Sequence, residues 1–174
     1  ALANDPDADR LAIAAPDPEG RWRVLTGDEV GALLAAHLLA LTSGATDRLV
    51  ATTVVSSRLL SLMAREADVH FAETLTGFKW LCRPGMEHPR WQQVMTYEEA
   101  LGYAVGPTAV DKDGITAALV AADMACALHA SGRSVWNVLD DLARAHGAHV
   151  TSNASVRIEG SDARERMQAL AARL

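Results

Sequence analysis

The apolar positions of this chain change spacing several times, and each change marks an element. Residues 1–4 read as the end of a strand, and residues 11–15 are short, apolar and strand-like. Pro16-Asp17-Pro18-Glu19-Gly20 is a strong turn signal, so residues 21–25 predict the returning strand of a hairpin. Thr26-Gly27-Asp28 offers a helix cap ahead of the Ala/Leu-rich run 29–41, which Ser43-Gly44 ends. Residues 49–55, rich in Val and Thr, predict a buried strand. Ser56 or Ser57 is placed to cap a helix over 59–66, and 69–72 is a short strand. Thr76-Gly77-Phe78-Lys79-Trp80 forms a loop opening a helix, and 84–89 reads as an irregular connection. Strands follow over 93–97 and 102–105. A long apolar helix over 115–130 and a second over 135–146, capped by Ser134 and stopped by Gly147, come next. Residues 150–158 are extended, and Ser161 or Asp162 caps a final helix to residue 174. Strands alternating with helices over 47–130 predict α/β layers, with function on the loops at strand ends.

Composition narrows the function classes. The 174 residues suffice for one good core and are marginal for two. A net charge of −6 with no basic block argues against nucleic-acid binding. The apolar run 30–41 is too short to cross a membrane, so no membrane partner is expected. Cys82 and Cys126 lack CxxC spacing and read as idle thiols of a cytoplasmic protein. Nothing precedes the strand at 1–4 to build its sheet, so the chain is expected to be a fragment of a larger protein.

Candidate chemistry falls in four polar clusters, each at a predicted element boundary. The first is Asp5-Pro6-Asp7-Ala8-Asp9-Arg10. Pro6 excludes a regular helix or central strand. A loop can turn the three alternate carboxylates toward one point, and crowded oxygen ligands suit a hard cation such as Mg²⁺. Arg10 behind them suits a phosphate. An EF-hand would need Gly and Glu where Arg10 and Pro16 stand. A plain acidic turn is the rival reading of the loop. The chain has two lysines, Lys79 and Lys112, both in predicted loops. Lysine can lose its proton where arginine cannot. The blander alternatives are Lys79 lying along Trp80 and Lys112 pairing with its neighbouring aspartates. The six histidines show no metal-ligand spacing; His129 and His146 suit helix C-termini.

Asp5-Pro6-Asp7-Ala8-Asp9-Arg10, Thr76-Gly77-Phe78-Lys79, Glu98-Glu99-Ala100-Leu101-Gly102-Tyr103 and Asp111-Lys112-Asp113-Gly114 together resemble the ordered motifs of the α-D-phosphohexomutases, the phosphoglucomutase/phosphomannomutase superfamily. The last two most resemble its phosphoglucomutase and phosphopentomutase branch. The resemblance implies a three-layer α/β domain with a mixed sheet, like the family's third domain, preceded by a hairpin from the domain before it. Residues 1–43 would end the second domain and supply a connecting helix, 44–150 would form the sugar-recognition domain, and 151–174 would lead toward the fourth. Asp5, Asp7 and Asp9 would bind Mg²⁺, and Arg10 would lie beside the phosphate. Gly77 and Lys79 would contact substrate, Glu99 would accept bonds from two sugar hydroxyls, and Lys112 would be the general acid/base. That last role needs cations and burial to lower the pKa of its amine.

Two family segments are not in these residues: the phosphoserine loop, typically T-A-S-H-N-P, and the phosphate loop of the fourth domain. Leu101 stands where many members have Ser, and mannose-type members carry a lysine near Val55. The expected function is therefore that of a phosphohexomutase fragment, glucose-like and inactive alone, with a sugar phosphate and the rest of its own enzyme as partners. The rival readings are a stand-alone sugar-phosphate or metal-binding module and an α/β interaction domain.

Overall fold

The computed structural model describes residues 1–107, 109–152 and 157–173. Among them are seven strands and seven helices arranged around two sheets.

The N-terminal sheet has three antiparallel strands in the order β1 (Leu2–Asn4), β2 (Leu11–Pro16), β3 (Trp22–Val24). The hairpin expected from the turn residues is β2–β3. The expectation that the first strand would lack a sheet is corrected: β1 pairs with β2, Leu2 opposite Ile13 and Asn4 opposite Leu11. Leu11 and Ile13 point into the core, and their alternation explains why β2 is buried on one face.

The second sheet has the order β5 (His70–Thr74), β4 (Arg48–Thr53), β6 (Gln92–Glu98), β7 (Gly102–Val105). β4 is parallel to both neighbours, and β7 returns antiparallel to β6, so the sheet is mixed. Helices α1 (Gly27–Leu41), α2 (Leu59–Glu66) and α5 (Gly114–Ala130) share one apolar core with one face of the sheet, through Val30, Leu34, Leu60, Met63, Ala117 and Met124. The short α3 (Phe78–Leu81) covers the other face, where Phe78, Leu81 and Cys82 pack on Ala51 and Ala104. The strand–helix alternation predicted α/β layers, and the three layers are those the family resemblance implied. Among the partly buried apolar side chains of α6 (Val135–His146), Trp136 and Leu139 pack against this core. The Trp136 indole N–H donates to Pro16 O at 2.5 Å, which ties α6 to the hairpin turn.

Local chemistry explains most boundaries. Thr26 and Glu29 form a capping box on α1, and Ser134 and Asn137 form one on α6. Asp113 caps α5 by accepting from Ile115 N and Thr116 N. Buried Arg48 donates to Leu39 O and Ala67 O, so one guanidinium satisfies carbonyls at the C-terminal ends of α1 and α2. Two expectations change. Residues 84–89 are not wholly irregular: α4 (Arg83–Glu87) forms there, with Pro84 in its first turn, where its missing N–H costs nothing. No side chain caps α2 in the usual way; Arg58 holds the cap position, and Ser57 Oγ accepts from Leu59 N at 3.2 Å. The final helix, α7 (Ala163–Ala171), is almost wholly exposed. The extended stretch expected over 150–158 includes 153–156, which lie outside the described residues.

Candidate active site

The acidic loop is the β1–β2 connection, and its shape follows from short-range bonds. Ala8 N–H donates to Asp5 O at 3.0 Å, and Ala8 takes φ 59°, a left-handed turn position. Arg10 N–H donates to Asp5 Oδ1 at 3.1 Å, closing the loop. That bond holds the Asp5 carboxyl below the usual aspartate range, although burial opposes it. One oxygen each from Asp5, Asp7 and Asp9 lies within 4.8 Å of the others. Three converging carboxylate oxygens, with no nitrogen or sulfur donor, fit a hard divalent cation such as Mg²⁺. Arg10 Nε is 3.8 Å from Asp5 and 3.9 Å from Asp9, so its half-exposed guanidinium flanks the carboxylates without capturing either.

The fourth motif is built onto this loop. Lys112 Nζ is 3.0 Å from Asp9 Oδ2. Gly114 N–H donates to Ala8 O at 3.1 Å, and Asn4 Nδ2 donates to Arg10 O at 2.6 Å. A Cβ on Gly114 would collide with Arg10 O and with Asn4 Nδ2, so the glycine is required by close backbone approach. Asp9 raises the Lys112 amine above the ordinary lysine range. This direction is opposite to the lowered value that the general acid/base reading asks for, because the first neighbour of the amine is an anion.

The other two motifs meet at Gly102. The turn after β6 passes through Leu101 at φ 68°, and Leu11 N–H donates to Leu101 O at 3.1 Å, joining this turn to the start of β2. A Cβ on Gly102 would lie 2.9 Å from the Phe78 ring and 2.9 Å from Glu98 Oε1. Phe78 in turn lies 5.9 Å from Lys112 Nζ. Glu99 is fixed from one side: Thr53 and Ser56 hydroxyls donate to Oε2 at 3.3 Å each, and Glu99 N–H donates to Ser56 Oγ at 3.3 Å. Among the described residues Oε1 has no hydrogen-bond partner. Gly77, at φ 110°, supplies a backbone conformation that favours glycine at the start of α3. Lys79 is exposed, with Nζ 5.5 Å from the Trp80 ring.

The structure thus brings Asp5, Asp7, Asp9, Arg10 and Lys112 into one cluster. It sets Glu99 and the Gly77–Lys79 segment at the C-terminal ends of β6 and β5. Among the described residues no direct contact joins the Glu99 carboxylate or the Lys79 amine to the acidic loop. Residue types alone did not single out Thr53 and Ser56 as supports of Glu99, or Asn4 and Gly102 as joints between motifs. The Ser56-Ser57 pair after a strand is the signal for it, although in sequence the pair reads as a helix cap.

Comparison with known proteins gives the family and the fold. The family description "Phosphoglucomutase/phosphomannomutase, alpha/beta/alpha domain III" matches residues 26–146. A phosphopentomutase of Mus musculus is 38% identical over 160 residues, covering 87% of this chain and 26% of that protein. The Haemophilus influenzae protein named "Probable phosphomannomutase" is 40% identical over 159 residues, covering 90% of this chain and 31% of its own length. The chain therefore spans between a quarter and a third of these relatives. Among solved structures, pp63/parafusin, a phosphoglucomutase from Paramecium, superposes with a TM-score of 0.63 at 23% identity, over 84% of this chain and 24% of that one. An N-acetylphosphoglucosamine mutase of Aspergillus fumigatus, solved with GlcNAc-6P and magnesium, superposes at 0.54 with 16% identity, over 71% of this chain and 32% of that one. Both likenesses are likenesses of fold.

Proposed function

The chain belongs to the phosphoglucomutase/phosphomannomutase family, and from that premise we propose that it is the metal-loop and sugar-recognition part of a phosphohexomutase that interconverts glucose 1-phosphate and glucose 6-phosphate. The observation that carries the proposal is the joint between the first and fourth motifs: Lys112 Nζ on Asp9, with Gly114 seated under the backbone of Ala8 and Arg10. A plain acidic turn has no need of a distant lysine and glycine fitted to it.

In this reading Asp5, Asp7 and Asp9 hold Mg²⁺, which when bound neutralises charge on the phosphoryl oxygens. Arg10 binds and orients the phosphate. Glu99 Oε1 accepts from sugar hydroxyls while Thr53 and Ser56 hold Oε2, so the sugar is oriented against a carboxylate that cannot rotate freely. Lys79, exposed beside the α3 N-terminus, reaches for the sugar phosphate, and Gly77 leaves its approach open. Lys112 carries its proton in the observed pairing, so it starts as the proton donor at Nζ and becomes an acceptor only after Asp9 is engaged elsewhere. The proposed layout assigns 1–43 to the end of the second domain, 44–150 to the third and 151–174 to the link onward. Phosphoryl transfer then also needs the family's phosphoserine, so the 174-residue chain is inactive by itself. Free Cys82 and Cys126 support a cytoplasmic setting.

The test is a coupled assay and a titration on the same preparation. We expect saturable Mg²⁺ binding by calorimetry that Asp7→Asn abolishes, and no turnover of glucose 1-phosphate. Turnover at an enzyme-like rate would overturn the incomplete-enzyme reading. Sugar-phosphate binding that persists without turnover and without Mg²⁺ would favour a stand-alone binding module. A pentose phosphate is the second substrate reading, favoured by the phosphopentomutase relative; Glu99-dependent binding of ribose 5-phosphate in preference to glucose 6-phosphate would select it.

A further inference from the structure

Asp28 is a carboxylate that the helix does not need for capping, because Thr26 and Glu29 already close the first turn of α1. It is nevertheless only 8% exposed. Its burial is compensated by three bonds from three separate segments. Oδ1 accepts from Ser57 N–H at 2.8 Å and from the Tyr97 hydroxyl at 3.0 Å, and Oδ2 accepts from the Thr151 hydroxyl at 2.5 Å. Burial and the neighbouring Asp28 keep the Tyr97 hydroxyl well above the usual tyrosine range, so it remains a donor.

Each of these segments borders Glu99. Ser57 follows Ser56, whose hydroxyl holds both the Glu99 amide and Oε2. Tyr97 precedes Glu99 by two residues on β6. The helix start itself is pressed on the same turn, since a Cβ on Gly27 would collide with Glu99 O. Thr151 brings residues 150–152 onto this assembly, and together they line an open polar cleft of about 540 Å³ with Glu99 and Val55 in its wall.

We propose that Asp28 is a positioning residue for Glu99, clasping Thr151 on one oxygen and the Ser56-Ser57 turn on the other. The clasp makes residues 150–152 part of the lining of the Glu99 cleft and couples their position to the carboxylate. A shift of the segment after α6 is transmitted through one side chain to the sugar-binding turn. The proposal rests on the reading of Glu99 given above, and it is tested here without any sugar, so that either can fail alone.

The experiment is amide hydrogen exchange on the full 174-residue chain. Thr151→Val removes one hydroxyl at an exposed position and leaves the fold intact. We expect exchange at the Ser57 and Glu99 amides to rise about tenfold while the β4 amides keep their rates, because the opening is local. Thr151→Ser, which restores the hydroxyl, returns both to the starting rates, and Asp28→Ala exceeds Thr151→Val. Unchanged Ser57 and Glu99 exchange in Thr151→Val overturns the clasp. Equal acceleration in β4 also overturns it, since it means general loosening. Failure of Glu99→Gln to alter sugar-phosphate binding would refute the sugar reading while leaving the clasp standing.

Discussion

Two cationic side chains share the carboxylates of the 5–9 loop, and their sharing sets testable limits at the scale of single residues. Lys112 holds one oxygen of Asp9, so a divalent cation must compete with it. Lys112→Met is expected to tighten Mg²⁺ binding about fivefold in calorimetry, as a unit positive charge is removed from beside the ligands. The two shifted groups also predict opposite pH windows. Asp5 is depressed in the folded chain, so its contribution to stability is full above about pH 4 and is lost as pH falls through the folded value. The difference in urea midpoint between the parent and Asp5→Ala should therefore narrow on acidification below about pH 4. Lys112 is raised, so its contribution is full below about pH 10 and is lost only as pH rises through its higher folded value. A midpoint difference between the parent and Lys112→Met should persist across neutral pH. At this scale the convergence of the three aspartates was legible, because a loop forced by Pro6 can turn alternate carboxylates toward one point. Asp28 was not. A first-turn aspartate looks the same in sequence whether it meets solvent or, as here, three donors from distant segments.

The motifs lie far apart in the chain, and at the scale of elements they are joined by glycines with no room for a side chain. Gly114 starts α5 against the acidic loop, and Gly102 starts β7 beneath Phe78. Gly114→Ala should lower the Tm by roughly 3–10 °C in calorimetric melting, from about 1–3 kcal/mol of overpacking in a chain of this size. The same variant should also weaken Mg²⁺ binding, because the loop backbone has to move, whereas Gly44→Ala, with open space around it, should do neither. The alternation of strands and helices was legible because β4 and the helices α1 and α5 have strong, long patterns. The pairing of β1 was not, since three exposed residues carry no periodicity and their partner is fixed only by register. The helix α4 was hidden by Pro84 and Gly85, which in sequence signal a break and in the structure sit at a helix start.

At the scale of the whole molecule the two sheets are not separable layers. Arg48 ties the C-terminal ends of α1 and α2, and Trp136 reaches back to Pro16, so the hairpin is gripped from the opposite end of the chain. The mixed character of the sheet was expected from the family resemblance, while its sequence of neighbours, β5-β4-β6-β7, was not legible, because crossover connections leave no local trace. The burial of Leu11 and Ile13 among the core side chains shared by α1 and α5 has a practical consequence for anyone dissecting this protein. Residues 1–25 behave as a stopper in the core. A recombinant piece started at Thr26, where the family description begins, would carry an uncorked apolar hollow and should bind hydrophobic dyes and self-associate on the column.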